Sequence, residues 1–319
     1  MNTVADKIIA REFVVTSELT PPKGVDLTDV FAKAEALKGY VDAFNVTDSH
    51  RARMAIAPAA VARLLLDRGI EPIVQITARD RNRIAIQADI LGAAALGARN
   101  FVFMAGDPPA NGDHPDAKPV FDLNSNQMLR AGHELAQGRD MAGNPLRGTP
   151  ILFLGATANP GAVDLQAEVL NTRRKIDAGA QFLQTQAVYE RATVEKFLDA
   201  VKPDGVAILA GIIPLKSSKM GAWLNANVPG IRVPDALLEE MHSVAGTNGE
   251  IAKGIDIAAR TIRDIQKLCA GVHVMGLGWE GHIPAILEAA FQQGGVHLVT
   301  AAIDYSENMR VLVNELHSA

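Results

Sequence analysis

The chain of 319 residues is short of cysteine, of long apolar runs, of clustered charge and of the common nucleotide and metal motifs, and each shortage closes off a class of protein. Cys269 is the only cysteine, so no internal disulfide can form and no thiolate cluster can hold a metal. Its setting at the end of a helix-like run, "IQKLCAGVH", reads as a plain core or surface thiol. The net charge of −5 is spread without a basic stripe, which argues against a nucleic-acid partner. No apolar run reaches the roughly 18 to 20 residues that span a bilayer, and "MNTVADKIIAREF" lacks the apolar core and cleavage site of a signal peptide. A soluble, cytoplasmic protein with no membrane partner is expected. No G-x-G-x-x-G follows the first strand-like run and there is no P-loop. The eight histidines form no H-x-x-H or H-E-x-x-H pair, and no G-x-S-x-G elbow occurs, so neither a metal site nor a serine hydrolase is expected.

What is present is a rhythm. Short, nearly continuous apolar runs lie at Phe13–Leu19, Ala43–Asp48, Pro72–Thr77, Phe101–Gly106, Ile151–Ala156, Phe182–Val188, Val206–Ile213 and Val272–Leu277. They match parallel strands buried on both faces. Between them stand segments of helical spacing: Leu27–Leu37, Ala57–Asp67, Arg83–Leu96, Asn126–Gly138, Leu165–Ala178, Val194–Val201, and Pro234–Ala245 with Ile251–Leu268. The pairs Gly97-Ala98, Gly179-Ala180 and Gly271-Val272 read as helix ends turning into strands. Eight alternations without a dinucleotide fingerprint favour an α/β fold of the (β/α)8 TIM-barrel type over an open sheet. With 48% hydrophobic residues there is ample core, and with no linker rich in Pro, Gly or Ser the whole of 1–319 reads as one domain.

Polar residues collect where the strand runs end. Glu18 in "SELTPPKG" is followed by two prolines that fix the chain after it. In a poorly hydrated barrel mouth its pKa is expected to be raised, which makes it a usable general acid near neutral pH; a carboxylate paired with a Lys or Arg is the plainer reading. Asp107 follows Gly106, whose missing side chain allows a flat ligand close to the backbone; alternatively it caps the Pro-Pro turn. Asp107–Lys118 forms a long polar loop expected on the functional face. Glu168, Asn171, Arg174 and Lys175, at i, i+3, i+6 and i+7, read as one polar helix face that binds a nucleotide-like cofactor or is simply solvated. His50, in "TDSHRAR", lies just past the second strand within reach of a ligand, while the other histidines read as surface or core.

At this point "SELTPPKG", "FVFMAGDPP", "LNTRRKIDAGAQFLQTQ" and "AGIIPLKSSKM" resemble the signatures of the methylenetetrahydrofolate reductase family, in order, from about Glu12 to Glu280. The most specific passage runs from Asn171 to Gln186. The resemblance implies a flavin-bearing barrel that reduces 5,10-methylenetetrahydrofolate to 5-methyltetrahydrofolate, or runs the reverse oxidation. It implies that Glu18 is the general acid, that Asp107 contacts the pterin and tunes the flavin, and that Gln186 binds folate. Thr47, Gln75, Gly106, Asp107, Glu168, Asn171, Arg174 and Lys175 fall on positions that hold FAD.

The chain departs from the family pattern in three places. Ala105 stands where an arginine is common, "ANPGAVD" lacks a histidine usual after the fifth strand, and Ser218 replaces a phenylalanine that covers substrate. These departures point to FAD held weakly or absent, and to an electron donor that is either NAD(P)H or a protein partner. Two other readings stay open: a pterin-dependent one-carbon methyltransferase, and a folate-binding subunit of a larger redox complex. Homo-oligomerisation is left open as well.

Overall fold

The computed structural model describes residues 3–291. Eight parallel strands close into a barrel in chain order: β1 (Val14–Leu19), β2 (Ala43–Val46), β3 (Pro72–Thr77), β4 (Asn100–Met104), β5 (Phe153–Ala158), β6 (Phe182–Ala187), β7 (Ala207–Ile212) and β8 (Gly271–Val274), which pairs back with β1. Around them run α1 (Val4–Ile9), α2 (Thr28–Leu37), α3 (Pro58–Leu66), α4 (Arg83–Ala95), α5 (Ser125–Ala136), α6 (Leu165–Asp177), α7 (Arg191–Val201), α8 (Ser218–Asn227), α9 (Asp235–Ser243), α10 (Gly249–Ile265) and α11 (Ile283–Phe291). The eightfold alternation is therefore a closed (β/α)8 barrel. No helix among the described residues is long and apolar enough to cross a membrane.

The strand ends differ locally from the sequence reading. The fifth strand starts at Phe153 rather than Ile151, because Ile151 is 71% exposed and pairing with β4 begins at Asn100↔Phe153. The eighth stops at Val274, before Leu277, whose φ of +49° is incompatible with a strand. Gly97 and Gly179 close helices at φ of +101° and +106°, as expected. Gly271 does not: it opens β8, where a Cβ would stand 2.0 Å from the Val14 carbonyl oxygen, so its role is close strand approach. Three helices escape the sequence reading: α1, α8 and α11. In α8, "SKMGAWLNAN", only Gly221 and Leu224 are buried, too few to show a helical period.

The barrel interior is layered. At its N-terminal end, α1 plugs an apolar layer of Val14, Ile73, Val102, Phe153, Phe182 and Leu209, with the Phe153 and Phe182 rings stacked 5.0 Å apart. Gly155 makes room for that stack, since a Cβ there would sit 2.3 Å from the Phe182 ring. Above this layer the interior turns polar, with Thr16, Asn45, Gln184 and His273 all almost fully buried. Above them again lies the mouth. This order, greasy floor, polar middle and open top, decides where chemistry can occur.

Candidate active site

A cavity of about 490 Å³ opens at the C-terminal mouth, the end at which barrels of this architecture carry their sites. Glu18, Gln75, Gly106, Asp107, Glu168, Lys175 and Gln186 line it, together with Met104, Asn159, Gln184, His273 and Met275. Seven positions singled out from sequence, drawn from five elements, thus meet around one space. Thr47, Asn171, Arg174 and Ser218 do not line it.

Glu18 stands at its centre of gravity chemically. Gln75 Nε2 donates to its Oε1 at 3.4 Å, and His273 Nε2 lies 3.4 Å from the same oxygen. The other ring nitrogen, Nδ1, is 2.9 Å from the Thr16 hydroxyl and 3.4 Å from Gln184 Nε2. Gln184 exchanges two hydrogen bonds with Asn45, at 2.6 and 2.9 Å, with its Nε2 toward Thr16 and His273. With the Gln184 amide so oriented, a donor faces Nδ1, and with Nδ1 as acceptor the ring presents an Nε2 proton to Glu18. Buried polar groups without partners are costly, and here each completes its neighbour's bonding.

The raised pKa expected of Glu18 is not what this environment produces. Burial pushes it up most strongly, as anticipated. The His273 hydrogen bond and charge, a further charge effect from His50 and the Gln75 hydrogen bond together outweigh burial and hold Glu18 below the ordinary carboxyl value. Without ligand, Glu18 is a carboxylate at neutral pH. The sequence reading missed the partners responsible: Thr16, Asn45, Gln184 and His273. A signal was present for one of them, because Thr16 precedes Glu18 by two residues, which places the pair on one strand face.

Gln186 owes its direction to a defect in pairing. The β6–β7 register shifts between Gln184 and Ala187, a bulge that turns the strand at its end. The Thr185 hydroxyl accepts from Gly211 N at 2.8 Å inside the bulge, and Gln186 Oε1 accepts from Ala187 N at 3.1 Å. On the opposite wall Gly106 has φ of +87°, and a Cβ there would meet Thr77 at 3.0 Å and Arg79 at 3.2 Å. The turn thereby presents Asp107 to the cavity. Ala105 is exposed, but an arginine does reach this turn from β3: Arg79 is 3% exposed and donates to the Asp107 carbonyl at 3.4 Å.

The helix α6 supplies the far wall. Glu168 Oε1 accepts from Asn159 N at 2.9 Å, Asn171 donates to Glu168, and the buried Lys175 donates to the Thr157 carbonyl at 2.6 Å. Burial pushes the Lys175 ammonium below the usual lysine value, opposed by the charge of Glu168. The single polar face expected for this helix needs correction. At about 100° per residue, six residues turn about 240°, so Arg174 points away from Glu168 and is exposed. Thr47 is 2% exposed and its hydroxyl has no partner among the described residues. Ser218 is half-buried in the first turn of α8, capped by Ser217, rather than in an open loop.

Comparison with known proteins adds a family context. The family model described as methylenetetrahydrofolate reductase matches residues 3–291. A Caenorhabditis elegans protein named probable methylenetetrahydrofolate reductase (NADPH) is 22% identical over 237 residues, 72% of this chain and 34% of that protein. The 5,10-methylenetetrahydrofolate reductase of Escherichia coli is 29% identical over 113 residues, 34% of this chain and 38% of its own length. The chain spans only about a third of the length of the curated relatives it matches. Among solved structures, a Clostridium thermocellum protein described as binding two copies of 5-methyl-5,6,7,8-tetrahydrofolic acid superposes with a TM-score of 0.60 at 16% identity, covering 90% of this chain and 97% of that one. An EDTA monooxygenase from Chelativorans superposes at 0.52 with 14% identity, covering 90% and 95%. At these identities the superpositions speak for the fold alone.

Proposed function

Because the chain belongs to the methylenetetrahydrofolate reductase family, we propose that its barrel mouth binds a tetrahydrofolate derivative and interconverts 5,10-methylenetetrahydrofolate and 5-methyltetrahydrofolate. The observation that carries this reading is the placement of Glu18, bonded to Gln75 and His273, in one cavity with Asp107 and Gln186. The C. thermocellum neighbour, described as a 5-methyltetrahydrofolate binder, supports the choice of ligand.

Reduction of the methylene bridge begins when a ring nitrogen leaves, generating an electrophilic iminium, and that nitrogen needs a proton. Glu18 is the acid placed to give it. Bound substrate would displace water from the mouth and strengthen the burial effect that already pushes Glu18 upward. The carboxylate of the free protein would then take up a proton as substrate binds. His273, with Nε2 toward Glu18 and Nδ1 held by Thr16 and Gln184, keeps the acceptor oxygen aimed. Asp107 and Gln186 orient the pterin with hydrogen bonds.

The residues at the mouth fit a flavin. Gly106 and Lys175 line the cavity, Lys175 is a buried cation with no carboxylate bonded to it among the described residues, and Thr47, outside the lining, keeps a buried hydroxyl with no partner among them. When bound, FAD would supply the hydride donor. Gln75 and Glu168 would complete its holding, with Asn171 acting through its bond to Glu168, while Arg174 points away from the cavity. With Ala105 in place of arginine, one charge-assisted contact is missing, which costs on the order of 1.5–3 kcal/mol, or roughly one to two powers of ten in affinity. FAD titration of the apo-protein tests this: micromolar binding is expected, and retention of FAD through extensive dialysis would contradict the weakening. The test of function is formation of 5-methyltetrahydrofolate from 5,10-methylenetetrahydrofolate with chemically reduced FAD. Adding NAD(P)H or a cell extract in place of the chemical reductant then separates a nucleotide donor from a protein partner.

A further inference from the structure

Glu18 faces a second space. Besides the mouth, it borders a side cavity of about 240 Å³ lined by Thr20, Pro22, Asp26, Asp29, Lys33, His50 and Glu280, between the β1 and β2 loops, α2 and the turn after β8. We propose that this side cavity is the proton port of the active site, and that His50 supplies through it the proton Glu18 spends. The inference rests on the reductase reading and deepens it.

Methylenetetrahydrofolate reduction consumes one proton for each hydride delivered. Glu18 gives its proton to the departing ring nitrogen and is left a carboxylate, so a proton must reach it from solvent before the next turnover. Three directions lead away from Glu18. Upward, the mouth is filled by substrate during catalysis. Downward, the chain of His273, Thr16, Gln184 and Asn45 is 3% exposed or less throughout and rests on the apolar floor, so it ends without reaching water. Sideways, the second cavity shares only Glu18 with the lining of the mouth and runs from it to the exposed His50.

His50 is the imidazole of that cavity, a ring that can accept a proton on one nitrogen and give one from the other. It is exposed, and its charge acts on Glu18. Of the carboxylates that share the cavity, Asp26 accepts from Thr28, Glu280 accepts from Gly278 N and faces Lys33 at 3.8 Å, and Asp29 lies in the first turn of α2. The backbone around His50 is held in a strained form. Ser49, Arg51 and Ala52 all take positive φ, at 47°, 56° and 54°. L-residues stay there only where the surroundings impose it. The impositions are visible: Arg79 donates to the Ser49 carbonyl, Asp113 accepts from Met54 N, and Gly112 packs so closely that a Cβ would lie 1.8 Å from the Ala52 oxygen. His50 acts through Glu18 and is a positioning residue for the proton, with no contact to substrate required.

The experiment compares wild type, His50→Ala and His50→Gln, loaded with FAD, in two regimes. One is a single turnover of pre-reduced protein after equilibration with 5,10-methylenetetrahydrofolate, and the other is sustained turnover with chemical reductant. In His50→Ala, sustained turnover should fall about tenfold, less than the ~10²–10⁴ that removal of the acid itself would cost. KM and the single turnover should change far less, and added imidazole should restore the rate. His50→Gln should be as slow as His50→Ala. Sustained turnover at the wild-type rate in both variants, or a loss that imidazole does not restore, overturns the port while leaving the reductase reading intact. Wild-type protein that neither turns over nor binds 5-methyltetrahydrofolate overturns both.

Discussion

At the scale of single residues, the site is governed by competition over one carboxyl. Burial favours the protonated form of Glu18, and His273 and Gln75 favour the charged form and prevail when no ligand is bound. Binding of 5-methyltetrahydrofolate at neutral pH should therefore be accompanied by proton uptake, seen as a dependence of the calorimetric binding heat on buffer ionisation enthalpy. His273→Leu should remove the depression and let burial raise Glu18 above its ordinary value. It should also leave the Thr16–Gln184–Asn45 chain short of one partner, at a cost of about 1–3 kcal/mol in a denaturant titration. The sign of the stability linkage follows from the depressed pKa. The wild-type contribution of Glu18 is full above the unfolded value of 4.5 and is lost as pH falls through the folded one, so the deficit of His273→Leu should shrink in acid. Cys269, whose thiol burial pushes up to about 12, should resist alkylation at pH 8 until the protein unfolds.

At the scale of elements, the interest lies in where strands end. β6 bulges to aim Gln186, and β7 yields to the bulge through Gly211, where a Cβ would lie 2.2 Å from the Thr185 carbonyl oxygen. Gly211→Ala should cost about 1–3 kcal/mol by overpacking, and it should weaken folate binding because the bulge must shift. A stability loss with unchanged affinity would show that Gln186 is not positioned this way. The bulge was not legible in the sequence, since a register shift is a property of two strands together. The strand runs were, because a strand buried on both faces has an unbroken apolar pattern. Helix α8 was not, because it buries too little to reveal its period. Arg174 was misplaced for a simpler reason: i+6 is not a face-sharing step on a helix.

At the scale of the whole molecule, closure of the barrel brings residues separated by more than 250 positions into contact, as with Glu18 and His273. This explains why half of the site was readable and half was not. Glu18, Asp107 and Gln186 stand at strand ends beside turn residues that draw notice. Their buried supports, Asn45, Gln184 and His273, sit inside apolar runs, and their partnership exists only once β8 meets β1. The central proposal is that Glu18 delivers a proton to folate in this mouth. Its most direct test is rapid mixing of chemically reduced, FAD-loaded protein with 5,10-methylenetetrahydrofolate, in wild type and Glu18→Gln, following flavin reoxidation. Loss of the transferable proton should slow the reaction by about 10²–10⁴-fold, with 5-methyltetrahydrofolate binding kept within a few-fold. Reoxidation of Glu18→Gln at the wild-type rate would show that Glu18 is a structural carboxylate and that the acid lies elsewhere.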